Sequence, residues 1–116
     1  MTVRELMERI EAVNMVPDAN LDVEIECGYS CDLLSWVLAH GKAGMAWSTV
    51  QSHVNVIAVA VLMEMACVIL AEGVEPEDAT LKKAIDEDMP ILCSKMTSYE
   101  ISTVMGAAGV AASDRA

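Results

Sequence analysis

The run Val54-Asn-Val-Ile-Ala-Val-Ala-Val-Leu-Met-Glu-Met-Ala-Cys-Val-Ile-Leu-Ala71 decides how this chain folds. Only Asn55 and Glu64 are polar in it, so it approaches the ~20 apolar residues that cross a bilayer. Glu64 weighs against a span, because a carboxylate at the bilayer centre costs roughly 3 kcal/mol or more. The composition also changes along the run. Ala, Met and Leu occur up to Ala66, and then Cys67-Val-Ile-Leu70 forms a short β-branched stretch. This pattern predicts a buried helix over residues 53–65 feeding a strand that is covered on both faces.

The same alternation extends in both directions. Upstream, residues 45–50 read as a strand, and Ser52 is placed to cap the helix that follows. Residues 32–40 carry Leu33, Leu34, Trp36, Val37 and Leu38, a short helix closed by Gly41. Over residues 21–27, Leu21, Val23, Ile25 and Cys27 alternate with Asp22, Glu24 and Glu26, the period of a strand with one open face, broken at Gly28. Before it come a helix over about residues 2–11 with Thr2 and Glu5 as a capping box, a weak strand over 12–16, and the turn formers Pro17-Asp-Ala-Asn20. Downstream, Gly73 ends the central strand. Pro76, at the first helical position, and Glu77 and Asp78 open a helix whose Lys82 and Lys83 suit the far end of its dipole. Pro90-Ile-Leu-Cys93 is the last strand, and Thr97-Ser-Tyr-Glu100 is a second capping box opening a helix to about Gly106. Strands alternating with helices predict an α/β fold, a three-layer α/β/α sandwich with a mainly parallel sheet of four or five strands. Residues 1–110 make one domain, and residues 111–116, which lack a pattern, are expected to fray.

Composition bounds the partners. Of 116 residues, 7 are basic and 18 acidic, a formal charge of −11. So acidic a surface argues against nucleic acid, whose binding depends on Lys and Arg displacing counterions, and against the anionic face of a membrane. The apolar share of 54% rules out disorder. A chain of this length buries only about two-thirds of its unfolded surface, so surplus apolar side chains point to a second copy, with a homodimer the expected assembly. Glu5, Glu8 and Glu11 interrupt any export signal, and four cysteines are then expected as free thiols in a reducing cytoplasm.

Parallel sheets bind ligands beyond the carboxyl ends of their strands. That rule selects Gly28, Tyr29, Ser30 and Asp32 after the second strand, Thr49, Gln51, Ser52, His53 and Asn55 after the third, and Ser94 after the fifth. His53 brings an imidazole, the side-chain type whose unperturbed pKa lies nearest neutrality, and Gln51 and Asn55 both donate and accept, which suits the edge of a base or sugar. Ser, Asp, Thr and Asn also serve as ordinary caps and turns. Cys27 and Cys31 are spaced as some zinc ligands are, yet no second pair accompanies them, so no metal site and no cofactor are expected. The phosphate-loop, dinucleotide, zinc-protease and nucleophile-elbow motifs are all missing, and no catalytic residue is assigned.

Two stretches carry a family resemblance. Asp22-Val-Glu-Ile-Glu-Cys-Gly-Tyr-Ser-Cys-Asp-Leu-Leu-Ser-Trp-Val37, followed by Thr49-Val-Gln-Ser-His-Val-Asn-Val-Ile-Ala-Val-Ala60, resembles the DRTGG domain family, over nearly the whole chain from Thr2 to about Val110. The resemblance implies an α/β regulatory module that forms dimers and binds adenine nucleotides in some members. Such modules are attached to phosphate acetyltransferases and to pyrophosphatases with CBS domains, and are similar in fold to the N-terminal domain of HPr kinase. It further implies a stand-alone form found in anaerobes beside hydrogenase components, hence a redox-enzyme partner as an alternative role. The naming motif is altered here: Val23 replaces its Arg and Cys27 its first Gly, while Asp22 and Gly28 remain. Losing the Arg removes a bidentate phosphate fork, which favours a nucleoside-like ligand over a polyphosphate. The expectation is therefore a non-catalytic, ligand-sensing homodimer that binds a small nucleotide- or nucleoside-like molecule at its strand ends.

Overall fold

The computed structural model describes residues 1–114. The elements run α1 (Val3–Arg9), β1 (Val13–Asn14), β2 (Cys27–Ser30), α2 (Leu34–His40), β3 (Met45–Thr49), α3 (Asn55–Leu62), β4 (Cys67–Leu70), α4 (Asp78–Glu87), β5 (Ile91–Cys93) and α5 (Ser98–Ala107). They form one five-stranded sheet in the order β1-β5-β4-β3-β2. Strands β2 to β5 pair in parallel, and β1 joins the β5 edge antiparallel. This is the α/β sandwich expected from the alternation of strands and helices.

Which helix covers which face follows from chirality. The strands β2, β3, β4 and β5 are neighbours in sequence order, and parallel crossovers are almost always right-handed. Three successive crossovers in one direction must therefore place α2, α3 and α4 on the same side. There Val37, Val56, Ile57, Ala60 and Ala84 pack with Met45, Trp47, Val68, Leu70 and Ile91 of the sheet. The opposite face is left to the terminal helices, where Val3, Leu6 and Ile10 of the N-terminal segment and Ile101 and Met105 of α5 close over Ala46, Cys67, Ile69 and Leu92. All of β3 and β4 is buried, as the continuous apolar run implied. The run at residues 54–71 divides into α3 and β4, and none of the described helices is long and apolar enough to cross a membrane.

Residues 21–27 depart from expectation. Their alternating burial holds, but the regular strand covers only Cys27–Ser30, with Gly28 inside it rather than ending it. The preceding backbone pairs instead with the N-terminus: Val3 N–H donates to Val23, Arg4 N–H to Leu21, and Ile25 N–H to Met1. Arg4 clamps this contact with two hydrogen bonds to Asp22, 3.0 and 3.4 Å long. Those bonds and the Arg4 charge hold the Asp22 carboxyl below the usual carboxylate range. A period of two reports one buried face and does not say which chain supplies the amide partners.

Helix boundaries shift for similar reasons. The two capping boxes form as read, at Thr2 with Glu5 and Thr97 with Glu100. Pro76 lies ahead of α4 rather than in its first turn, and Lys83 pairs with Glu87 along the helix at 3.7 Å. After α5 the chain turns back to β2: Gly28 N–H donates to Ala111, and Gly28 bridges Ala112 in parallel. The stretch expected to fray is thus pinned at Ala111 and Ala112, while Arg115 and Ala116 lie outside the described residues.

Gly44 joins three segments. Its N–H donates to Glu64 beyond α3 and its carbonyl accepts from Glu26 before β2, with φ at +75°. A Cβ there would run into the side-chain stem of Glu26. Gly44→Ala combines that clash with left-handed strain, so it should lower stability by about 2 kcal/mol, or Tm by roughly 10 °C. A thermal melt unchanged by this substitution would contradict the turn described.

Candidate functional site

The loops after β2 and β3 meet through one carboxylate. Asp32 Oδ1 accepts from the Thr49 hydroxyl at 2.8 Å and from Val50 N–H at 2.9 Å. Gln51 adds a third link, its side-chain amide donating to the Asp32 carbonyl at 3.1 Å, and its backbone N–H donates to Thr49 Oγ1 at 3.2 Å. The structure therefore brings Asp32, Thr49 and Gln51 together, with Asp32 and Gln51 exposed and Thr49 buried. Just beyond, His53 Nδ1 accepts the Asn55 N–H at 3.1 Å, which leaves Nε2 as the ring's donor. His53 and Asn55 are both exposed at the start of α3. His53 thus takes the amide-capping role that residue spacing had given to Ser52.

Ser52 turns the other way. Its hydroxyl reaches Glu77 at 3.4 Å, and its carbonyl accepts the Thr80 hydroxyl at 2.6 Å, tying the loop to α4. Ser94 stands apart from the group. It is 2% exposed, donates to the Ile10 carbonyl at 2.6 Å and accepts from Met96 N–H at 3.1 Å. Two strands separate β5 from β2, which places Ser94 roughly 14 Å along the sheet from the end of β2. Its contacts make it a latch for the end of α1.

The path of the chain explains this division. A crevice opens in a parallel sheet where successive connections leave toward opposite faces. Here β4 leads to α4 on one face and β5 to α5 on the other, so the switch falls between those two strands. Loop contacts cross it, and two clefts stay open beside it, one of about 230 Å3 against Gly73, Glu75 and Cys93 and one of about 480 Å3 against Glu11, Lys95 and Glu100. Glu72 N–H donates to Met96 at 2.9 Å, Gly73 N–H to Ser94 at 3.0 Å, and the Glu72 carboxylate accepts from Ser98 N–H at 2.8 Å.

Open space also lies at the β2 edge. Gly28, Tyr29 and Ser30 border a cleft of about 280 Å3, facing Ser102, Met105 and Gly106 of α5. On the other side of β2, Gly28 and Tyr29 join a cleft of about 380 Å3 against Trp36, His40 and residues 112–114. Asn55 borders a third hollow, of about 320 Å3, between α2 and α3 with Leu38, Ala58 and Leu62. Ser48, paired in register with Ser30, is fully buried, and its hydroxyl has no partner among the described residues.

Sequence reasoning passed over Trp36. Trp36 and His40 are four residues apart and so share one face of α2. Their rings stack with centroids 4.2 Å apart. Tyr29 completes the group by accepting the indole N–H at 2.9 Å, a contact that no spacing could announce.

The cysteines do not gather. Cys67 is fully buried in β4, where burial pushes its thiol up to about 12. Burial, with the nearby Glu75 charge, pushes Cys93 up to about 11, and burial also raises Cys27. Among the described residues no three His, Cys, Asp or Glu side chains group closely enough to hold a metal ion.

No protein-family model matches the chain, and no curated protein matches it in sequence. Its fold is similar to the crystal structure of the CBS and DRTGG domains of the regulatory region of Clostridium perfringens pyrophosphatase, complexed with the activator diadenosine tetraphosphate. The TM-score is 0.73 at 8% identity, covering 90% of this chain and 45% of that one. This chain thus corresponds to less than half of that region, and at such identity the likeness is one of fold.

Asp32 is the joint of the strand-end cluster. Asp32→Ala leaves the buried Thr49 hydroxyl and the Val50 amide without their acceptor, a cost of about 1–3 kcal/mol. Asp32→Asn keeps an acceptor oxygen and should cost clearly less. Urea unfolding of both variants measures the difference, and equal stabilities would remove Asp32 from this role.

Proposed function

We propose that this chain is a non-catalytic, ligand-sensing regulatory domain of the DRTGG type, working as a homodimer in the cytoplasm. In this reading it binds a small nucleotide- or nucleoside-like molecule beside the carboxyl ends of β2 and β3. The observation that carries it is the run of exposed Gln51, His53 and Asn55 on the loop that the Asp32–Thr49 hydrogen bond ties to the end of β2. The fold likeness to a regulatory region crystallised with a dinucleotide activator supports the choice of ligand class. A ligand there regulates only through its different affinity for two dimer arrangements.

The homodimer finds support on α2 and α3. Neither helix contains Asp, Glu, Lys or Arg, although the chain carries 25 such residues. Leu33, Leu38 and Leu62 are exposed around this uncharged face. The same face supports a second reading, a docking subunit of a redox enzyme system without a small ligand.

Two measurements test these readings. Thermal melts against adenine nucleotides and nucleosides should show stabilisation near 2.7 kcal/mol at a hundredfold excess over Kd, a shift of several degrees. His53→Ala or Asn55→Ala should remove it. An indifferent melt at millimolar ligand favours the docking subunit. Light scattering should give a dimer mass that falls to the monomer in Leu62→Glu, and a monomeric wild type would overturn the dimer.

A further inference from the structure

The cleft of about 380 Å3 at the outer edge of β2 is not used by the strand-end loops. One wall consists of three rings locked to each other. Trp36 donates its indole N–H to the Tyr29 hydroxyl at 2.9 Å. His40 stacks on Trp36 with a 24° interplanar angle, and its Nδ1 lies 2.9 Å from the Trp36 carbonyl. Despite this anchoring, Trp36 is 52% exposed. An indole already held in place loses little further freedom when a ring stacks on it, and its apolar surface then leaves water. The facing side offers room for a flat group, since Gly28 and Ala112, which bridge each other, carry no side chain larger than a methyl. The volume lies within the about 300–1,000 Å3 of small-molecule sites. Asp114 borders the cleft, and the net charge of −11 disfavours phosphate groups.

We infer that this cleft is a stacking site for the uncharged planar ring of a nucleobase or nucleoside, with Trp36 as its platform and Tyr29 and His40 as positioning residues. The inference rests on the reading of the chain as a sensor of nucleoside-like ligands. It departs from that reading in where the ring sits, at Trp36 and not beside Gln51, His53 and Asn55, and it adds that the nucleoside is preferred to its phosphates.

Adenosine, guanosine and ATP are titrated into the full chain while tryptophan emission and backbone amide shifts are followed. Trp47, the other tryptophan, is fully buried, so quenching by either nucleoside reports on Trp36. A nucleoside should shift the amides of residues 28–29, 36–40 and 112–114, and ATP should bind more weakly. Trp36→Leu should weaken nucleoside binding about tenfold or more, while Trp36→Phe, which keeps a ring face, should lose less. Because Trp36 is half exposed, both variants should fold, as far-ultraviolet circular dichroism will verify. Nucleoside affinity unchanged in Trp36→Leu but lost in His53→Ala overturns this site and leaves the broader function standing. Failure of both nucleosides and ATP to bind the wild type overturns both. ATP binding as tightly as adenosine overturns the charge preference. A fall in self-association mass in Trp36→Leu without loss of nucleoside binding assigns the cleft to a second copy instead.

Discussion

Tyr29, Trp47, Val68 and Ile91 lie side by side across four parallel strands, and the last three of them are fully buried. A parallel sheet joined by helical crossovers is covered on both faces, and its amides must be paired within it. That requirement sets most of the molecule. Right-handed crossovers carry α2, α3 and α4 to one side, so the other face depends on whatever precedes β2 and follows β5. The terminal helices α1 and α5 are therefore structural necessities, held by Leu6, Ile10, Ile101 and Met105. The small β1 and residues 111–112 pair along the two outer strands, β5 and β2, which reduces exposed strand edge.

The strand ends follow from the same constraint. Loops leaving a buried sheet bring backbone N–H and carbonyl groups that need partners, and the polar residues there supply many of them. Asp32 serves Val50, His53 serves Asn55, and Ser94 serves Ile10 and Met96. Only groups left over from this task can meet a ligand, which narrows the strand-end set to the exposed side chains of Gln51, His53 and Asn55 and the outward side of Asp32. The ring cluster at Trp36 differs in kind. It holds no loop in place, and its polar contacts fix a surface that stays half open.

Charge and hydropathy are distributed unevenly over this frame. Eight of the 18 acidic residues lie on α1, α4 and residues 21–26, whereas α2 and α3 carry none, with Asp32 and Glu64 just outside them. The face most suited to a partner therefore adjoins both the His53–Asn55 loop and the Trp36 cleft, since Asn55 and Leu38 share one hollow and Trp36 lies on α2. Ligand and partner would then be felt by the same two helices.

Much of this was legible in residues alone. The β-branched Cys67-Val-Ile-Leu70 run, the capping boxes at Thr2 and Thr97, and the alternation of apolar elements depend on local geometry, and local geometry is written in neighbouring side chains. The polar character of the loop ends could be read for the same reason. What Leu21–Cys27 alternation could not convey was that its backbone would pair with Met1, Val3 and Arg4, because amide partners come from distant chain. Nor could composition foretell that Glu72, Gly73 and Ser98 are tied by hydrogen bonds across the switch between β4 and β5, or that Tyr29 anchors Trp36. The sequence by itself determined the layers and the sites where polar groups collect, through periodicity and propensity. Only the tertiary structure decided which of those groups are consumed by the fold and which remain free, because that depends on register and crossover direction.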